Sequence, residues 1–194
     1  MMNKQVIELI IKLLENLSGE EHKKWELGLR RMILGLNPWE DLRIKTRPFD
    51  PDKFLWISWR IVPEEQDQKS ASLQEVDFSK VDFAGRLKEK ENLISCRLML
   101  NLLRKSNRIL YGASVFMGLW MDYELTKEDS VLEFIYREKG IESFCFLGDV
   151  IEDPSGEQRI LSLRRNKING EWLWQYFKLD EPHSIAVVSK EESS

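Results

Sequence analysis

The stretch FCFLGDVIEDPSGEQRILSLRRNKINGEWLWQYFKL, from Phe144 to Leu179, decides the fold, because strand-forming runs alternate in it with two turn signals. Asp153-Pro154-Ser155-Gly156 puts proline where a type I turn uses its fixed φ, and glycine at the fourth position. Asn169-Gly170 suits a two-residue type I′ hairpin, since both residues tolerate the positive φ it requires. Counting outward from those turns predicts Ile168 opposite Glu171, Lys167 opposite Trp172, Arg165 opposite Trp174 and Leu163 opposite Tyr176. The first turn sets Phe146 opposite Leu163 and Phe144 opposite Arg165. Side chains alternate with period two, so one face gathers Phe144, Phe146, Leu161, Leu163, Trp172, Trp174 and Tyr176. That face is the expected core side of a three-stranded meander.

Composition sets the frame around this ribbon. The 194 residues are 42% hydrophobic and 32% charged, which is ordinary globular composition. A formal net charge of −4 disfavours a general nucleic-acid binder, which needs a surface surplus of Lys and Arg. Cys96 and Cys145 lie in apolar surroundings, as buried thiols of a reduced, cytoplasmic protein would, although their pairing stays open. No apolar run reaches the roughly 18–20 residues of a membrane span, so neither a signal peptide nor a membrane helix is expected.

Upstream, Val6, Ile10, Leu13 and Leu17 recur at helical spacing. Ser18 and Glu21 form a capping box, and Trp25, Leu29, Met32 and Leu36 continue the stripe until Pro38 ends it, which predicts a helical hairpin. Phe54 to Val62 is aromatic and β-branched enough for a strand, with Phe54 and Trp56 on one face and Leu55, Ile57 and Trp59 on the other. Leu73 to Phe83 adds a short extended segment. Three helices are expected at roughly 95–105, 112–123 and 127–139, the last starting at Thr126 and Asp129 and stopped by Gly140. The segregation of helices from strands predicts an α+β fold: an N-terminal helical hairpin and central short helices packed on an antiparallel sheet that includes the C-terminal meander. A single compact domain spans 1–194, with subregions 1–40 and 41–189 and a frayed tail at 190–194. Trp174→Ala is expected to cost about 3–5 kcal/mol as a buried aromatic.

Several blocks together resemble an uncharacterised family of small bacterial proteins. They are Asn37-Pro38-Trp39; Phe49-Asp50-Pro51 with Lys53 and Phe54; Glu75, Asp77, Ser79, Lys80, Val81 and Phe83; Val115, Phe116, Leu119 and Trp120; and Phe146, Gly148, Val150, Asp153, Pro154, Gly156, Trp172 and Trp174. The resemblance is colinear over most of the chain and implies no activity, cofactor or partner. Two features depart from it: the loop after Trp59 lacks a glycine-rich acidic insertion, and Leu125-Thr126 stands where an Ile-Pro break is usual.

Chemistry-bearing residues are sparse. His22 and His183 sit in polar surroundings, and with Cys96 and Cys145 they show no short metal-ligand spacing. Ser114, in Gly112-Ala113-Ser114-Val115-Phe116, lacks the second glycine of a nucleophile elbow and fits a helix start. Asp50 with Asp52, and Asp149 with Glu152 and Asp153, offer oxygen ligands to a hard cation, so a metal-dependent hydrolase is one alternative. A nucleic-acid-binding protein is another. It would use either the segment 86–108, with seven basic and two acidic residues, next to helix 112–123, or a strip of Arg165, Lys167, Trp172 and Trp174 that stacks on bases or a ligand. Against the strip stands a packed role for the tryptophans, with the cations capping their edges. The favoured expectation is a non-catalytic cytoplasmic interaction protein with a protein partner, no cofactor and no metal.

Overall fold

The computed structural model describes residues 42–85, 94–181 and 185–190, together with residues 10 and 12. Two units divide the chain, Met1–Arg43 and Ile44–Ser194. The expected N-terminal helical hairpin, with His22 and Asn37-Pro38-Trp39, lies outside the described residues. So do residues 86–93, His183 and the tail beyond Lys190.

The meander forms as its turn residues dictate. Strands β5 (Ser143–Glu152), β6 (Gln158–Arg165) and β7 (Trp172–Lys178) pair antiparallel in sequence order. The predicted face is the observed one, but every predicted pairing slides by two residues. Leu163 faces both Phe144 and Trp174, Leu161 faces Phe146 and Tyr176, and Arg165 faces Trp172. A slide of two keeps each side chain on its face.

Loop lengths cause the slide. Asp153 N–H donates to Glu157 O at 3.0 Å and Gly156 N–H to Asp153 O at 2.9 Å, which makes a three-residue loop with Gly156 at φ 83°. This is the type I turn plus left-handed residue that three-residue hairpins use. At the other end Asn166 N–H donates to Glu171 O at 2.7 Å and Gly170 N–H to Asn166 O at 2.9 Å. Gly170 alone in that loop takes a positive φ, 74°. Asn169 does not; its side-chain Oδ1 accepts the Glu171 N–H at 3.1 Å, so the loop is four residues long and not a type I′ pair. Within β5, the register jumps between Phe146 and Ile151, so that the four residues Leu147–Val150 bulge against Ile160 alone.

The full sheet runs β4 (Val81–Ala84), β8 (Ala186–Ser189), β5, β6, β7, with β2 (Arg60–Ile61) pairing to the end of β5. Strand β8 was not anticipated: it inserts antiparallel to β4 and parallel to β5, giving the sheet one parallel pair. Strands β1 (Arg43–Lys45) and β3 (Glu75–Asp77) make a separate two-stranded sheet.

Helices cover the large sheet on both sides. Helix α4 (Ala113–Thr126) lies on the predicted face, its Phe116 ring edge-on to Phe146 at 5.4 Å, and α5 (Val131–Lys139) packs beside it. Helix α3 (Cys96–Leu103) covers the opposite face, where Cys96, Met99 and Leu100 meet Cys145, Leu147, Ile160 and Val188. The centre of β5 is therefore buried on both sides, and each large side chain fully buried there contributes about 2–3 kcal/mol.

All three expected helices are present with small shifts. Ser130, not Thr126, caps α5 by accepting the Glu133 N–H at 3.2 Å, and Gly140 at φ 62° ends it. The expected strand Phe54–Val62 is corrected to a turn-rich segment. Pro51 at the first helical position seeds one helical turn, α1 (Pro51–Phe54), because its fixed φ already suits a helix. Ser58 then reverses the chain at φ 73°, and only Arg60–Ile61 is extended. Leu55 and Trp59 turn inward while Trp56 and Ile57 turn outward, which breaks the expected alternation.

Candidate functional site

Of the four residues singled out in the meander, the buried Trp172 and the partly buried Arg165 meet at one carboxylate, Glu133. Trp172 is 1% exposed; its Nε1–H donates to Glu133 Oε1 at 3.0 Å and its backbone N–H to the Tyr123 hydroxyl at 3.1 Å. Arg165 donates to the same Glu133 oxygen at 3.1 Å and lies over the Tyr136 ring at 4.0 Å. Glu133 on α5 thus joins Arg165 and Trp172, which the slid register places directly opposite each other. Lys167 stands apart, exposed and paired to Glu142 at 3.3 Å. Trp174 is half-buried with its ring 4.8 Å from Phe54.

Trp174 leads to a surface that sequence reasoning missed. The segment after α1 lies along β7, with Phe54 against Trp174 and Trp59 against Tyr176 at 5.0 Å. Between those two anchors the chain turns, and Trp56 is 66% and Ile57 82% exposed. The turn is braced by the Ser58 N–H donating to Asp52 Oδ1 at 2.7 Å and by Trp59 N–H to Trp56 O at 3.4 Å. A non-glycine residue at positive φ is uncommon, and Ser58 holds one at the foot of this turn. The signal in the sequence was Phe49-Asp50-Pro51-Asp52, where Pro51 could have been read as a helix start.

The β5 bulge builds a second surface. Gly148 N–H donates to Tyr111 O at 3.0 Å and Gly148 O accepts Asp67 N–H at 2.7 Å, so the bulged backbone bonds to two other segments instead of to β6. A Cβ on Gly148 would stand 2.0 Å from Leu110 O, so only glycine fits. An isolated glycine within a strand pattern is the sequence sign of such a bulge. Next to it Asp149, 5% exposed, accepts the Ala113 N–H at the start of α4 at 2.6 Å and the Gln66 Nε2–H at 2.7 Å. Burial pushes its carboxyl above the usual carboxylate range, and those two donors partly offset the rise. Asp67 caps the short helix α2 (Gln68–Ala71): its Oδ1 accepts Lys69 and Ser70 N–H, and its Oδ2 accepts Leu110 N–H at 2.8 Å.

The other acids considered as ligands have partners of their own. Asp50 pairs with Lys53 at 2.9 Å, Glu152 with Arg60 at 2.6 Å, and Asp153 with Arg159 at 2.8 Å. Among the described residues no three His, Cys, Asp or Glu side chains converge as a metal site. Both cysteines are free and buried; Cys145 Sγ–H donates to Ile185 O at 3.2 Å, and burial raises its thiol pKa well above the usual range. Ser114 lies in the first turn of α4, as a helix start would place it. That helix buries Val115, Phe116 and Leu119 completely. No described helix is long and apolar enough to cross a membrane. Comparison with protein-family models, with curated proteins and with solved structures found no match.

Proposed function

We propose that this chain is a non-catalytic interaction protein of the cytoplasm that docks a protein partner through the Trp56–Ile57 turn. The observation that carries this reading is the exposure of two adjacent large apolar side chains, 66% and 82%, on a turn anchored at both ends by aromatic ring contacts. Trp is enriched among the few residues that dominate binding energy at protein interfaces. A braced turn loses little conformational freedom on docking, so more of the contact energy appears as affinity. The two free buried thiols suit a reducing compartment.

The test is capture from nuclease-treated extract of the source cell on the immobilised protein and on Trp56→Ala/Ile57→Ser. Both side chains point outward, so the variant keeps its melting temperature. A partner retained by the unaltered protein and depleted at least about tenfold on the variant supports docking at this turn. Equal capture by both would remove the turn from the interface, and with it this proposal.

A further inference from the structure

The large sheet ends on β7, whose only strand partner among the described residues is β6. Main-chain bonds to β6 are made at Glu171, which accepts the Asn166 N–H, and at Leu179, which donates to Gln158 O, and such bonds recur at every second residue of an antiparallel pair. The backbone groups of Trp172, Trp174, Tyr176 and Lys178 therefore point away from β6. Both ends of this edge are taken. Trp172 is buried with its N–H on the Tyr123 hydroxyl, and the Lys178 carbonyl accepts the Glu181 N–H at 2.9 Å. Between them the N–H and C=O of Trp174 and Tyr176 and the N–H of Lys178 meet no partner among the described residues. Proteins blunt such edges with proline, bulges or charge. Strand β7 holds no proline, keeps an unbroken register with β6, and carries a single charge, Lys178, at its end.

The open run 174–178 is symmetric about Tyr176, so it complements itself. Laid antiparallel on a two-fold axis through Tyr176, the two Tyr176 residues exchange N–H···O=C bonds and each Lys178 N–H reaches the Trp174 carbonyl of the other copy. The Trp174 N–H meets the Lys178 carbonyl, which keeps a lone pair beside its Glu181 bond. Lys178 is paired to Glu157 at 2.6 Å and brings no bare charge, whereas an in-register parallel pairing would set the two Lys178 side by side. Leu173, 47% exposed on the opposite face, stands next to the joint. We propose that β7 pairs with β7 of a second copy of this chain, an isologous contact that joins the two sheets into one. This goes beyond the docking turn, because the bonds come from the β7 backbone and not from Trp56 or Ile57. A contact of one strand pair is smaller than the roughly 1,200 Å² of a stable interface, so the dimer is weak and reversible.

Sedimentation velocity of the full chain from about 1 to about 300 μM tests it, with a monomer–dimer Kd on the order of 30 μM expected. Tyr176→Pro removes an N–H that faces away from β6, where an edge strand accepts proline, and should weaken the dimer at least about tenfold, while Tyr176→Phe leaves it unchanged. Register is read by cross-linking. A short bismaleimide should join two copies of Tyr176→Cys, which the axis brings together, but not of Leu173→Cys, whose two sites stand roughly 20 Å apart. Both native thiols are buried and stay out of this reaction. A monomer at every concentration, unchanged association of a folded Tyr176→Pro, or linkage of Leu173→Cys as efficient as that of Tyr176→Cys would each overturn the pairing.

Discussion

Trp172 and Trp174 stand two positions apart on one strand and face, yet they differ in burial, because Trp172 sits beneath α4 and α5 while Trp174 packs against Phe54 in the segment that lies along β7. The expected cost of about 3–5 kcal/mol for a buried aromatic therefore belongs to Trp172→Ala, which also leaves Glu133 without one of its donors. Trp174→Ala should cost less, about 1–2 kcal/mol, since its ring is only partly buried. Urea denaturation of both variants measures the difference. Asp153 supplies a pH signature. Hydrogen bonds from Ser155 and Arg159 hold its carboxyl well below its ordinary value of 3.8. Its contribution is fully present above that value and is lost as pH falls towards the lower folded one. Asp149 acts in the opposite sense: its pKa is raised, so its contribution is present below 3.8 and is lost as pH rises through the folded value. Asp153→Asn should flatten the acid side of a stability–pH curve, and an unchanged acid slope would show that the Arg159 contact is absent in solution.

At the scale of elements, turn residues located both hairpins, and period two gave the right set of buried faces, but neither revealed the loop lengths. Asn169-Gly170 fits a two-residue loop as well as a four-residue one from the residue types alone. The choice is made by Asn169 accepting the Glu171 N–H and by Arg165 reaching Glu133 on α5, a contact that only packing creates. Gly170→Ala should cost about 1–2 kcal/mol, because its φ of 74° is left-handed and the new Cβ would lie 2.9 Å from Arg165. Asn169→Ala should cost less, about 0.5–1 kcal/mol, for one exposed hydrogen bond. A type I′ turn would erase the ranking by penalising loss of Asn169 as heavily. In Phe54–Val62 the aromatic composition suggested a strand. The local chemistry of Pro51 and the Asp52–Ser58 hydrogen bond prevailed, and the Trp56–Ile57 turn went unseen for that reason. Of the helix ends, Gly140 was read correctly as the stop of α5, whereas its start was read at Thr126 and Asp129 and lies at the Ser130 cap.

Across the whole of Ile44–Ser194, the feature least legible in the sequence is that the sheet is covered on both sides. One face was predicted from the meander. The other depends on α3, whose Cys96, Met99 and Leu100 are hidden in a sequence stretch dominated by its basic residues, and on β8, four residues that gain their place only by pairing with distant β4 and β5. Such non-local pairing leaves no periodic trace. The bulge at Gly148 follows from the same crowding, since Tyr111, Asp67 and α4 all converge on β5 there. Native-state hydrogen exchange resolved at single amides tests this doubly covered sheet most directly. The amides of Phe146, Leu161 and Leu163 should exchange at least about 10⁴-fold more slowly than in an unstructured peptide, through global unfolding alone. Exchange of those three amides within about tenfold of the unstructured rate would contradict it.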